Sequence, residues 1–126
     1  MHGIHQEYLQ TDGTDWNTKV LTKDTTYTSD PIRSHFSTGF ACLIVTMTTT
    51  SNPTLAITYE VSVDKKNWYA PQDSDGTALN AVIAALAASG WIVLATQPAE
   101  WIRFKVTPST ANSTVAAQYG QQEMND

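Results

Sequence analysis

Apolar and polar residues alternate with a period of two in several separate stretches of this chain. In "LAITYEVSV", Leu55, Ile57, Tyr59, Val61 and Val63 fall on one side, and Ala56, Thr58, Glu60 and Ser62 on the other. In "GFACLIVTMTT", Ala41, Leu43, Val45 and Met47 share one face, while Cys42 and Ile44 indicate that part of the opposite face is covered as well. In "EWIRFKVTP", Ile102, Phe104 and Val106 face inward and Trp101, Arg103 and Lys105 outward. Successive side chains of an extended chain point to opposite faces, so each stretch predicts a half-buried strand. "TTYTS" at 25–29, closed by Asp30-Pro31, and "STVAAQYG" at 113–120 add two more.

Turn formers separate these runs. "SNP" at 51–53 precedes the Leu55 strand, and Asp64-Lys65-Lys66-Asn67 ends it ahead of Trp68 and Tyr69, which begin the next strand. A type I turn with Asn67 in the left-handed position is expected there, because Asn tolerates positive φ and Asp64 can accept backbone N–H bonds. The pattern predicts an all-β chain, an antiparallel β-sandwich of jelly-roll or immunoglobulin-like form. Residues 1–24 read as an N-terminal arm or short edge strands, 25–120 as the sandwich, and 121–126 as a polar tail. Tyr59 to Val63 and Ile102 to Val106 are expected to line opposite sheets of one closed interior, with no cleft left for chemistry.

One segment departs from the alternation. From Thr77 to Ala99 no residue is charged. An Ala-rich run predicts one short helix over 79–88, stopped by Ser89-Gly90 and followed by a strand from Trp91 to Ala95. Asn80, Ser89 and Gly90 interrupt the run and no basic cluster flanks it, which speaks against a membrane span. A continuous uncharged patch is poorly suited to face water, so Leu79, Val82, Ile83 and Leu86 are candidate contacts with another subunit.

Composition narrows the function classes. The 126 residues suffice for one domain with a real core. Charged residues make up 15%, below the ~25% usual for soluble domains. The net charge is −5 and the seven Lys and Arg are scattered along the chain, which argues against nucleic acid as a partner. Cys42 is the only cysteine and lies in an apolar run, where it reads as a small buried hydrophobe rather than a reactive thiol. The first residues have neither the basic start nor the apolar core of a secretory signal.

Candidate chemistry is sparse. His2 and His5 sit in a polar N-terminal stretch, and His35 has no neighbouring acid or cysteine. Asp73 and Asp75, before Gly76, resemble the start of a calcium loop, but no acidic residue closes that loop downstream; a solvated turn is the plainer reading. No catalytic motif or phosphate cradle is present, and no cofactor is implied. Glu60 is placed to pair across strands with Arg103 or Lys105. The aromatics Trp68, Tyr69, Trp91 and Trp101 are candidates for a subunit interface or binding surface, and Trp68, Trp101 or Tyr69 for stacking on sugar rings in a carbohydrate- or receptor-binding module.

Two motifs carry a resemblance. "VSVDKKNW", Val61 to Trp68, and "WIRFKV", Trp101 to Val106, resemble paired strand motifs in small β-sandwich proteins of tailed-bacteriophage virions, with Lys65 standing where a Gly is common. The same motif pair occurs in discoidin-like and other jelly-roll modules, and the insert at 79–88 has no counterpart. The resemblance spans about residues 25–120. It implies a non-enzymatic virion structural protein, such as a head decoration protein, a head-fibre base, or a neck or tail component. It would be assembled in the host cytoplasm, with partners being further copies of itself and the major capsid or tail proteins, and a glycan as a further candidate ligand.

Overall fold

A computed structural model describes residues 2–33, 41–47, 54–70, 74–77, 81–86, 89–94 and 100–124. In chain order the strands are β1 (His2–Tyr8), β2 (Gln10–Thr11), β3 (Thr14–Asp15), β4 (Lys19–Leu21), β5 (Tyr27–Thr28) and β6 (Ile32–Arg33). They continue with β7 (Ala41–Met47), β8 (Thr54–Ser62), β9 (Ala81–Leu86), β10 (Gly90–Leu94), β11 (Trp101–Ser109) and β12 (Ser113–Met124). There is no helix among the described residues.

All pairings are antiparallel and form two main sheets. The first has the order β1-β12-β7-β10, with β4 also on β12. The second has the order β5-β11-β8-β9, with β6 also on β11. The two pack face to face as the expected sandwich. Leu43, Val45, Val115, Ala117 and Tyr119 of the first sheet meet Leu55, Ile57, Tyr59, Ile102, Phe104 and Val106 of the second in one buried cluster. Phe104 lies at the centre, its ring 5.8 Å from Tyr119 across the layers and 6.3 Å from Tyr59 beside it, both tilted. Tilted contacts suit the ring quadrupoles.

Three sequence expectations are corrected. Residues 81–86, placed in a helix over 79–88, form strand β9 instead. Its β-branched Val82 and Ile83 suit a pleated surface, and the free edge of β8 offers ladder bonds that outweigh the helical preference of alanine. Leu79 lies outside the described residues. Next, β8 and β11 are neighbours within one sheet rather than facing each other from two. Ile102 pairs with Val61, Arg103 with Glu60 and Phe104 with Tyr59. Finally, Val63 does not join the inward row; β8 ends at Ser62 and Val63 is 72% exposed at the start of the turn.

Residues 2–24 are built into the same body. Leu9, Trp16 and Leu21 are all completely buried in its core. Between Thr11 and Thr14, Asp12 and Gly13 have φ of 52° and 80°, the two consecutive positive values a type I′ hairpin requires. The hairpin of β2 and β3 is anchored to both sheets. Leu9 N–H donates to the Ala117 carbonyl and Ala117 N–H to the Trp16 carbonyl, both at 2.9 Å, while Asp30 N–H donates to the Gln10 carbonyl. The Trp16 indole donates to the Thr11 hydroxyl at 2.8 Å, so its one polar atom is satisfied inside. β12 continues through Met124, paired with β1 along its last seven residues.

Candidate functional site

Two surfaces carry the sequence-predicted residues. The first is the outer face of the second sheet and the turn that borders it. Ser62 ends β8, and its buried hydroxyl accepts the N–H groups of Asp64 (3.2 Å) and Lys65 (2.9 Å) while donating to Asp64 Oδ1 (3.0 Å). The Asp64 carboxylate accepts the N–H groups of Lys66 (2.8 Å) and Asn67 (2.9 Å) and the Asn67 side-chain amide (2.9 Å). The backbone N–H bonds from Asn67 and Lys66 hold that carboxyl far below the usual carboxylate range. The left-handed residue of the turn is Lys65, with φ of 64°, and not Asn67.

That geometry folds the chain back so that Trp68 and Tyr69 lie along β8. They do not start a long strand: Tyr69 forms a single bridge to Val61, with both backbone bonds made at 2.9 and 3.0 Å. The Trp68 ring lies 4.3 Å from the Arg103 guanidinium, and the Trp101 ring 4.3 Å from Lys65 Nζ. Arg103 is fixed from its other side by Glu60, which accepts from Nε at 2.9 Å and Nη2 at 2.7 Å; Lys105 reaches the same carboxylate oxygen at 3.4 Å. The Glu60 pairing read from the sequence is therefore present. Burial pushes the Glu60 carboxyl up, and the opposing pull of Arg103 and Lys105 outweighs it, leaving the group below its ordinary value. Arg33, opposite Trp101 in the ladder, pairs with Glu100 at 3.2 Å.

Trp68 and Trp101 are thus half-buried and each is occupied by a cation, whereas Tyr69 is 64% exposed. The sequence reading missed that five of the seven basic residues, Arg33, Lys65, Lys66, Arg103 and Lys105, gather on this face or its turn. The signal was available: Lys65-Lys66 sits at the end of β8, and Arg103 and Lys105 share the outward parity of β11.

The second surface is the lateral edge formed by β9 and β10, which approach each other although they belong to different sheets. Val82, Ile83 and Leu86 lie in β9 and Trp91 in β10. β9 follows β8 with two register shifts. β10 runs in unbroken antiparallel register with β7, from Gly90 opposite Val45 to Leu94 opposite Ala41. Among the described residues no strand pairs with the other side of β9 or β10.

The remaining candidates are not assembled into a centre. Asp75 is exposed in a turn, Asp73 and His35 lie outside the described residues, and His2 and His5 fall in β1. Among the described residues no group of three or more His, Cys, Asp or Glu could hold a metal ion. No helix among them is long and apolar enough to cross a membrane. Cys42 is buried, and burial pushes its thiol upward against a smaller opposing effect of the Gly120 backbone, away from the reactive thiolate. Comparison with protein-family models and with curated proteins finds no match to this chain.

Proposed function

We propose that this chain is a non-enzymatic structural protein of a tailed-bacteriophage virion, acting by subunit contacts in a head decoration, head-fibre, neck or tail position. The observation that carries the assembly part is the asymmetry of the sandwich edges. On one side the edge strands β4, β5 and β6 are only two or three residues long and the β2–β3 hairpin bridges the sheets. Short and covered edges are how β-proteins avoid unwanted pairing. β1, on that same side, is longer but presents the exposed Gln6 and Glu7.

The opposite side has no such protection among the described residues. β10 lies in a segment of 23 uncharged residues and offers a regular row of N–H and C=O groups. The bulged β9 is a poorer template, since register shifts twist an edge away from a partner. The proposed contact is therefore β10 against β10 of a second copy, an isologous antiparallel pair that extends the first sheet through a two-fold axis. The virion setting is supported by the Val61–Trp68 and Trp101–Val106 motifs, and by a low charge suited to repeated contact between identical subunits.

The test uses two single substitutions, Ile92→Pro and Val93→Pro. Backbone N–H groups alternate sides along a strand, so one of the two removes a bond to β7 and the other removes an outward donor. The variant that keeps its melting temperature should lose self-association in sedimentation velocity. Association unchanged in both, or a wild-type chain that stays monomeric and is absent by mass spectrometry from particles of the phage that encodes it, would refute the proposal. A rival reading, a carbohydrate- or receptor-binding module, retains Tyr69 as an exposed ring; binding on a glycan array that Tyr69→Ala abolishes would favour it.

A further inference from the structure

The charge of this molecule is segregated. Among the described residues, the outer face of the β11 sheet and its turn hold five basic residues against three acids, Glu60, Asp64 and Glu100, in a chain whose net charge is −5. The hairpin edge, by contrast, carries Asp12, Asp15 and Asp30, with Glu7 at the end of β1 nearby and one cation, Lys19, held against the Trp16 and Tyr27 rings. Asp30 accepts the N–H groups of Asp12 and Gly13, both at 3.0 Å, which brings its carboxylate to the hairpin tip, and Asp15 is held by Gln10 at 2.9 Å.

We propose that the cationic outer face, at Lys65, Lys66 and Arg103, docks the acidic β2–β3 hairpin of a second copy. The acidic edge and the basic face are different surfaces, so the contact is heterologous and propagates head to tail. The face is prepared for this role. Arg103 is clamped between Glu60 and the Trp68 ring, and Lys65 rests on Trp101, so these cations lose little side-chain freedom on docking. The two faces attract at long range, which sets orientation and encounter rate more than strength. A polyanion such as nucleic acid fits less well, because the chain as a whole, at a net charge of −5, repels phosphate. This contact is independent of the β10 edge; a chain using both would have one two-fold and one head-to-tail interface, enough to build an extended lattice.

Charge reversal tests it. Sedimentation velocity would compare the wild type with Lys65→Glu/Lys66→Glu, with Asp12→Lys/Asp15→Lys, and with an equal mixture of the two, each variant first shown to keep its circular dichroism. Each double variant alone should lose salt-sensitive association, and the mixture should regain it, since every acidic surface then meets a basic one. Lys65→Arg/Lys66→Arg should associate like the wild type. Association of the wild type should weaken about tenfold or more between about 0.02 M and about 0.3 M salt. The same experiment in the β10 proline variant that keeps its melting temperature separates this contact from the edge contact. Variants that associate like the wild type, a mixture that fails to recover, salt-independent association, or tight binding of the face to heparin without self-association would overturn the inference.

Discussion

The Ser62 hydroxyl does three jobs at the end of β8, accepting two turn N–H groups and donating to Asp64. A net contribution near 1 kcal/mol is typical for such hydrogen bonds. Ser62→Ala should therefore lower stability by about 1 kcal/mol in urea unfolding, and should loosen the Lys65–Trp101 contact. The adjacent carboxylates set the acid response. Glu60 and Asp64 are both held below their ordinary values in the folded chain, so each contributes stability above the unfolded carboxylate pKa of about 4 and loses it as pH falls through the folded value. The melting temperature should drop as pH falls below about 5 and should keep dropping below about pH 3, where Asp64 takes up its proton. Glu60→Gln should cost about 1 kcal/mol at neutral pH and flatten that drop. At this scale the sequence revealed the turn's place and the Glu60 partners. It misled on the left-handed residue, because propensity favours Asn67, whereas the bonds from Ser62 and Asp64 put the positive φ on Lys65.

Among the elements, the β2–β3 hairpin shows how two residues close an edge. Nothing lies within 4 Å of a Cβ built at Gly13, so Gly13→Ala would meet only the cost of positive φ. A loss of about 1 kcal/mol is expected in thermal unfolding, with the core unchanged. Strands with one wet face, β8 and β11, were legible because their alternation survives in sequence. β9 was not, since a run of Ala, Val, Ile and Leu has no period that separates a buried strand from a helix. Sheet membership was also hidden: parity says which side chains face inward, and both sheets look inward. The outward Glu60–Arg103 pair held the answer, because such a bridge joins strands that are neighbours in one sheet.

At the scale of the molecule, one core joins residues of both sheets and of the N-terminal hairpin around Phe104, and Phe104→Ala should cost about 3–5 kcal/mol in denaturant unfolding by opening a cavity between the sheets. The sandwich itself was readable from alternation and turn chemistry. The basic face was legible in part, from the outward parity of Arg103 and Lys105 and the Lys65-Lys66 turn, whereas the difference between the two edges was not, because it depends on which strands become neighbours. That difference is the basis for proposing assembly, and it can be observed amide by amide. Hydrogen exchange of Gly90 to Leu94, measured at low and high protein concentration, addresses it directly. The account predicts that exchange in β10 slows as concentration rises, while the Gln6 and Glu7 amides of β1 are unaffected. Exchange in β10 that is the same at every concentration, in a sample shown by its mass to be assembled, would contradict it.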